Sequence, residues 1–326
     1  MAKALSCMIL TAALLVWNRP AQAQSLNLGY SGAGLATDLR RVIEKEKIWE
    51  KYGVRVNSVY FTSSSVLTRA LAAGDITVSD SDVPATLNLA VSGLLDLKVI
   101  AVNINRLEHY FIVRKHITRA EDLKGQRVAV SSIGSASDIT TRMVLRFWKL
   151  NPEKDVTILS TGNTPTRVAA LSVGHVDAGL VDPEHLNVAL ATGCCRVLAD
   201  LSELPMDYAR FGVAVPTSMI KTQRETVRNL LKGYIEGIAI FKTRPETVLP
   251  ILKEAGIRDP RLAKTVYEKI AGSLREYPVP EPRGMQAALN SLTSPKARGA
   301  KAESFMDTSL IEEIKKSGFI DRLYGR

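Results

Sequence analysis

The chain has 326 residues, of which 46% are hydrophobic and 23% charged, with a formal net charge of +10. This length and composition indicate a globular protein with a full core, large enough for two lobes. Positive residues are scattered in runs of at most two, and no basic stripe alternates with aromatic residues. The pattern typical of nucleic-acid binding is therefore excluded.

The first residues have the features of a secretory signal. Lys3 precedes an apolar stretch, Met8–Trp17, and Ala21-Gln22-Ala23 is an A-x-A cleavage site. The apolar stretch is shorter than the ~20 residues that span a membrane. We predict a signal peptide at 1–23, cleavage after Ala23, and a mature protein in the periplasm.

The first half of the mature chain alternates between β-branched, period-two stretches and amphipathic ones, which predicts strands and helices in alternation. The strands are predicted at Leu26–Ser31, Val54–Phe61, Ile76–Ser79 and Leu97–Asn103. The helices are predicted at Thr37–Tyr52 and Val66–Ala73, with a third that begins at Pro84 and ends at Gly93.

The next hundred residues follow the same rule, and the C-terminal third is helical. Strands are predicted at Tyr110–Arg114, Val128–Ser131, Val156–Ser160, Ala178–Val181, Val197–Asp200 and Phe211–Val215. Helices are predicted at Asp138–Lys149, Pro165–Val173, Pro183–Thr192, Glu225–Phe241, Pro245–Glu254, Pro260–Ala271, Pro282–Leu292 and Leu310–Ser317.

A weak internal repeat appears when the numbering is shifted by one hundred. Leu28–Ser31 parallels Val128–Ser131, and the polar corner Ser63-Ser64 parallels Asn163-Thr164. Asp82 likewise parallels Asp182. The shared spacing predicts two lobes of like construction, and a cleft between such lobes is a natural ligand site.

Within this repeat, the strand Arg127–Ser131 leads through the small polar corner Ser132–Ser137 into a helix. The first N–H groups of a helix have no internal partner and carry partial positive charge, so a carboxylate, sulfonate or phosphate fits there. Ser132 or Ser135 could equally serve only to cap the helix.

Enzymatic patterns are missing from the sequence. The four histidines lack the spacing of a zinc site, no G-x-S-x-G is present, and Gly32-Ala33-Gly34 lacks the third glycine of a dinucleotide loop. We therefore predict no enzyme, no metal and no cofactor. The adjacent Cys194 and Cys195 are expected to be unpaired thiols, because a bridge between neighbours needs a strained ring.

With these segments placed, the sequence resembles the substrate-binding proteins of ABC importers in the nitrate/sulfonate/taurine group, which are related to thiamine-pyrimidine binding proteins. The stretches that carry the resemblance are Ala120–Gly125 leading into Val128–Ser137, Pro152–Thr157, Arg167–Gly174 with Val176-Asp177-Ala178, and Ser317–Asp321. The resemblance implies an α/β, two-lobed type II periplasmic binding protein fold with two crossover strands and with the C-terminal helices on lobe 1. Lobe 1 is predicted at 24–107 and 213–326, and lobe 2 at 108–212.

The resemblance places the ligand among polar corners at strand ends. These are Tyr30, Ser31, Gly32, Ser63, Ser64, Ser65, Asp80, Ser81 and Asp82 in lobe 1, and Ser132, Gly134, Ser135, Ala136, Thr161, Gly162, Asn163, Asp182 and Glu184 in lobe 2. The carboxylates among them would repel an anion unless they pair with arginine or point away. They could instead suit an amine, or act as helix caps.

The function implied is that of a monomeric extracytoplasmic receptor. It would bind a small anionic, sulfonate- or carboxylate-like molecule between its lobes, close by a hinge at the crossovers, and deliver the solute to an ABC permease. A ligand-binding subunit of a sensory system, which would have the same fold and cleft, is the alternative. A pyrimidine-synthase-like enzyme is a further one, although Cys194-Cys195 is a poor substitute for that family's cysteine-rich motif.

Overall fold

The computed structural model describes residues 25–31, 35–204 and 207–326, so the predicted signal peptide and Gly32 lie outside it. It contains ten strands in the described residues. They are β1 (Ser25–Ser31), β2 (Arg55–Phe61), β3 (Val78–Asp82), β4 (Leu97–Ile104), β5 (Tyr110–Arg114), β6 (Arg127–Val130), β7 (Thr157–Ser160), β8 (Ala178–Val181), β9 (Cys195–Asp200) and β10 (Phe211–Pro216).

Helices alternate with strands in the first two thirds of the chain, and the C-terminal third is helical. They are α1 (Leu35–Lys45), α2 (Ile48–Lys51), α3 (Ser64–Ala73), α4 (Val83–Ser92), α5 (Ala136–Phe147), α6 (Thr164–Ser172), α7 (Leu186–Ala191), α8 (Thr217–Thr222), α9 (Arg224–Thr243), α10 (Pro245–Glu254), α11 (Pro260–Ser273), α12 (Pro282–Asn290), α13 (Ser309–Lys316) and α14 (Phe319–Leu323). None of the described helices has the length and apolarity needed to cross a lipid bilayer.

The strands form two five-stranded sheets of matching topology. The first has the order β2-β1-β3-β10-β4 and the second β7-β6-β8-β5-β9. In each sheet the first three strands are parallel, and the strand that has crossed over from the other sheet (β10 or β5) pairs antiparallel with both of its neighbours. β1 therefore corresponds to β6 and β3 to β8, which confirms the two like halves predicted from the repeat.

Two crossovers join the sheets. The chain leaves the first sheet after Ile104 and enters the second at Tyr110, then returns between Asp200 and Phe211. The two segments lie side by side, because the amide of Arg210 donates to the carbonyl of Ile104 at 3.0 Å. The sequence thus correctly predicted two crossovers, while the lobe limits 24–107, 108–212 and 213–326 stay a prediction.

The C-terminal helices pack on the first sheet, as predicted. α9 approaches α1 and α2 closely, since a Cβ at Gly233 would lie 2.4 Å from Trp49, and one at Gly237 would lie 2.3 Å from Ile43. Glycine at these two positions lets the helix backbones approach each other. Buried residues of β1, α1, α9, α10 and α13 then form one apolar core.

A second apolar core joins the two halves. Val83 and Leu87 of α4 belong to the same buried cluster as Phe111 and Val128 of the second sheet, together with Met285 of α12. α12 is therefore shared between the halves. This continuous core connects the two halves beside the crossovers, since Leu107 and Tyr208 belong to it.

Several predicted boundaries shift for local reasons. The single helix predicted at 37–52 is divided into α1 and α2, because Lys47 adopts a left-handed conformation with φ of 51°. The helix predicted from Pro183 begins as a 3-10 turn, Pro183–His185, before α7. β3 extends to Asp82, so the predicted acidic corner is part of the strand.

The cysteine prediction is wrong. The structure joins Cys194 and Cys195 by a disulfide at the start of β9. Gly193, with φ of 69°, bends the chain immediately before the pair. The bridge lies at one edge of the second sheet.

Candidate functional site

A cavity of about 70 Å³ lies between the two sheets. We call it the cleft cavity. Each half contributes the residues that follow its parallel strands, and the crossovers and α11 complete the wall. The lining residues are Ser31, Thr62, Ser63, Ser64, Asp82, Glu108, His109, Ser131, Ala136, Ser137, Asn163, Thr164, Arg167, Asp182, Pro183, Glu184, Arg210, Phe211, Lys269 and Ile270.

The position of this cavity follows from the topology. In each half the parallel strands run toward the cleft, and helices α3 to α6 begin close to where those strands end. Ligands of open α/β sheets bind outside the carboxyl ends of the strands. The repeat therefore brings the ends of β1 and β6, and those of β3 and β8, to the same place.

Hydroxyl groups close the cleft directly. The Oγ atoms of Ser65 and Ser132 lie 2.7 Å apart, and Ser132 also donates to Ser63 Oγ at 3.0 Å. The amide of Ala136, in the first turn of α5, donates to Ser64 Oγ at 3.0 Å. Each contact joins one half to the other, so the structure is a closed form in which two helix N-termini face each other.

The buried guanidinium of Arg167 supports the part of the cavity wall that comes from the second sheet. Arg167 is 3% exposed, and its Nε donates to the carbonyl of Leu180 at 3.0 Å. Its Nη1 donates to the Gly162 carbonyl at 3.0 Å and its Nη2 to Thr164 Oγ1 at 2.7 Å. This fork holds the start of α6 against the end of β8.

An ion network forms the floor of the cavity. Asp182 accepts from Thr164, and its Oδ1 lies 3.4 Å from Arg210 Nη2 and 3.3 Å from His109 Nε2. Arg210 Nη1 also lies 3.9 Å from Glu108. Arg210, Glu108 and His109 all belong to the crossovers, so the network couples the second half to the hinge.

The pKa values of the acids in this floor move in opposite directions. Burial alone would raise the pKa of Asp182, but the hydrogen bond from His109 and the charges of His109 and Arg210 hold it far below its usual range. Burial raises the pKa of Asp82, and the charge of Arg210 opposes that rise only in part. The cavity therefore keeps at least one firm negative charge beside its arginines.

Asp80 is directed away from the cavity. It is paired in the sheet with Tyr30 on one side and Val213 on the other, and its Oδ1 accepts a hydrogen bond from Tyr234 of α9 at 2.8 Å. Burial raises its pKa from 3.8 to about 7, an effect that the Tyr234 hydrogen bond counteracts. Its ionised form is therefore destabilising in the folded protein.

This shift predicts a pH effect on stability. Because the folded-state pKa lies above the unfolded one, the protonated carboxyl stabilises the fold fully below pH 3.8, and this contribution is lost as the pH rises through about 7. In Asp80→Asn the loss should disappear, so between pH 4 and 8 the variant should gain on the order of 4 kcal/mol relative to the parent. Urea unfolding at both pH values measures it. Asp75→Asn, in an exposed turn, is the control. If the free energy of unfolding changed with pH equally in both variants, the assignment would be contradicted.

The predicted site residues fall into three groups, and their role in binding stays a prediction. Those that line the cleft cavity are Ser31, Ser63, Ser64, Asp82, Ala136, Asn163, Asp182 and Glu184. Those that do not line it but hydrogen-bond to lining residues are Ser65, Ser81, Ser132, Ser135 and Gly162. Tyr30, Asp80, Gly134 and Thr161 do not line it, and Gly32 lies outside the described residues.

The sequence interpretation missed the charged part of the wall. Glu108, His109 and Arg210 lie in the crossovers, where only a hinge was predicted, and Arg167 and Lys269 lie inside predicted helices. Lys269 donates to the hydroxyl of Tyr110 and lies 4.2 Å from the centre of its ring. One sequence signal could have indicated a charged residue in the cavity wall. It is a charge directly beside an apolar crossover strand, as in Arg210-Phe211.

Comparison with known proteins gives a family and a fold. The chain matches the family described as NMT1/THI5 like over residues 45–248. The taurine-binding periplasmic protein of Escherichia coli K12 is 26% identical over 185 residues, which is 56% of each chain. A Brucella abortus (strain 2308) protein named as a binding protein is 26% identical over 120 residues, 37% of this chain, and the match spans 36% of that protein's length.

Two solved structures share the architecture. The alkanesulfonate-binding protein SsuA from Xanthomonas axonopodis pv. citri, bound to MOPS, has a TM-score of 0.69 at 19% identity, covering 83% of this chain and 92% of that one. The periplasmic nitrate-binding protein NrtA from Synechocystis PCC 6803 has a TM-score of 0.73 at 14% identity, covering 91% and 89%. These likenesses confirm the two-lobed periplasmic binding protein fold predicted from the sequence.

Proposed function

Because the chain belongs to the NMT1/THI5-like family, we propose that it is an extracytoplasmic solute receptor that binds a small molecule between its lobes and delivers it to an ABC permease. The observation that carries this proposal is the cleft cavity, whose wall comes from both halves and both crossovers. A solute that contacts both halves stabilises the closed form, since it binds that form better than the open one.

The dimensions and donors of the cavity define the solute. A volume of about 70 Å³ is far below the ~300–1,000 Å³ of pockets that take drug-sized ligands. Serine hydroxyls, helix N-termini and the cations Arg167, Arg210 and Lys269 are suited to a sulfonate or carboxylate group. We therefore propose that the solute places a small polar part in this cavity, and that this part carries one sulfonate or carboxylate group.

The location and assembly state belong to the same proposal. We place the mature protein in the periplasm as a monomer, with the signal peptide removed after Ala23. Its docking partner is the permease in the inner membrane. The sensory and pyrimidine-synthase alternatives have no specific observation in their favour, and neither Cys194 nor Cys195 lines the cleft cavity.

Ligand-induced stabilisation tests the proposal. The mature chain is titrated with taurine, alkanesulfonates, nitrate, aromatic carboxylates and pyrimidines while its melting temperature is followed. A ligand at one hundred times its Kd stabilises the native state by about 2.7 kcal/mol, so at least one compound should raise the melting temperature by several degrees. If no compound in this panel and no copurified small molecule has an effect, the receptor assignment fails.

A further inference from the structure

Two aspartates occupy equivalent positions in the two halves. Asp82 ends β3 and precedes α4, and Asp182 follows β8 and precedes the 3-10 turn Pro183–His185. Both line the cleft cavity. Neither carboxyl group caps the helix or turn that it precedes. The role of each aspartate is therefore decided by the contacts that it makes in the cavity.

Those contacts differ between the two aspartates. Asp182 accepts a hydrogen bond from Thr164, and its Oδ1 lies 3.3 Å from His109 Nε2 and 3.4 Å from Arg210 Nη2. Among the described residues, no side chain donates a hydrogen bond to Asp82, and no cation forms an ion pair with it. Pro84 contributes to this difference, because it brings no N–H group to the first turn of α4. Asp182 is thus a paired carboxylate, and Asp82 is an unpaired carboxyl group.

Charged groups of both signs surround Asp82 in the cavity wall. They are Glu108, His109 and Arg210 on the crossovers, Arg167, Asp182 and Glu184 in the second half, and Lys269 of α11. Burial raises the pKa of Asp82 above 3.8, the charges of Arg210 and His109 oppose this rise, and the charge of Asp182 adds to it. Burial also raises the pKa of Tyr208, on the second crossover, to about 12, so this phenol stays uncharged. The closed cavity therefore favours the protonated form of Asp82.

An ionised Asp82 would repel the anionic group that the arginines of this cavity attract. Once protonated, the same side chain is an O–H donor. We propose that Asp82 is a protonated carboxylic acid in the closed, loaded receptor, and that its O–H donates a hydrogen bond to the sulfonate or carboxylate of the solute. This inference rests on the proposed function, because it requires an anionic solute in the cleft cavity. It adds that Asp82 takes up a proton when the solute binds.

Proton uptake gives the affinity a definite dependence on pH. Opening the cleft exposes Asp82 to water, so its pKa returns toward 3.8. Because its pKa is higher in the closed, loaded form, the affinity is greatest at low pH and falls as the pH rises between the two values. The decrease is at most ~10-fold per pH unit. It ends above the higher value, where Asp82 is ionised in both forms.

Calorimetric titration of the mature chain with 1-propanesulfonate and with nitrate tests the proposal, because both anions stay ionised throughout this range. The affinity at about pH 8 should be at least ~10-fold weaker than at about pH 5. Titration in buffers of different ionisation enthalpy should show that binding takes up protons.

Asp82→Asn keeps a hydrogen-bond donor but cannot ionise. At about pH 5 it should bind within ~3-fold of the parent chain. It should also lose the pH dependence, so that it binds more tightly than the parent at about pH 8. Asp75→Asn, in an exposed turn, should keep the parent's pH dependence.

His109 is the rival source of a pH effect, because an imidazole can also take up a proton. A pH dependence that persists in Asp82→Asn would overturn the proposal. If Asp82→Asn does not fold, His109→Gln decides between the two residues, since it should retain the pH dependence and a loss there would assign the proton to His109. Binding that is independent of pH in the parent chain also overturns the proposal but leaves the receptor assignment intact. If neither anion binds at either pH, the proposal fails, and the receptor assignment then depends on the other compounds of the panel.

Discussion

Replacing Arg167 by methionine should lower the free energy of unfolding by about 3–5 kcal/mol, the cost of removing one partner from a buried ionic network. Arg167 is 3% exposed and donates to Leu180, Gly162 and Thr164. Methionine leaves two carbonyls without their donor. It also removes a positive charge near Asp182, whose pKa that charge helps to lower.

Urea unfolding measures this loss, and two variants define its origin. Arg228→Met removes a guanidinium from a pair that is 37% and 67% exposed, so it should cost at most about 1 kcal/mol. Arg167→Lys keeps the charge but cannot reproduce the fork of hydrogen bonds, and it should fall between the two. A loss at Arg167→Met no larger than that at Arg228→Met would show that the buried fork contributes nothing to stability.

The fold was largely predictable because its signals are local and repeated. Strand and helix periods, glycines that end helices and the one-hundred-residue repeat all report backbone structure directly. The errors have physical causes of a different kind. Lys47 adopts φ of 51° although lysine has no preference for that conformation. β3 extends by three residues because β10 pairs with Asp80, Ser81 and Asp82.

The site was predictable only in part, for a related reason. Serine corners such as Ser63-Ser64 follow strands and cap helices, so the topology alone indicates where they gather. Charged residues such as Glu108 and Arg210 have no periodic signature. They meet because the two crossovers, which are far apart in sequence, lie side by side. Asp80 shows the converse, because it lies inside β3 and its side chain accepts a hydrogen bond from Tyr234 instead of lining the cleft cavity.

Replacing Ser64 by leucine should weaken solute binding by about 10- to 100-fold without unfolding either half. In the closed form Ser64 is 4% exposed and its Oγ accepts the amide of Ala136 across the cleft. A leucine there removes this acceptor and overpacks the closed cleft, at a cost of about 1–3 kcal/mol. Opening separates the two halves and relieves that cost. The penalty therefore falls on the closed form, and the equilibrium shifts toward the open one.

Two measurements separate this effect from simple destabilisation. At a ligand concentration that saturates the parent chain but not the variant, small-angle scattering should show a larger radius of gyration for Ser64→Leu than for the parent. Titration should show the weaker Kd. Arg69→Leu places the same side chain on the exposed face of α3 and should change neither. If Ser64→Leu closes and binds like the parent, then the contact between Ser64 and Ala136 does not control closure. The hydroxyl cluster would then serve only to cap helices, because the substitution would not have destabilised the closed form relative to the open one.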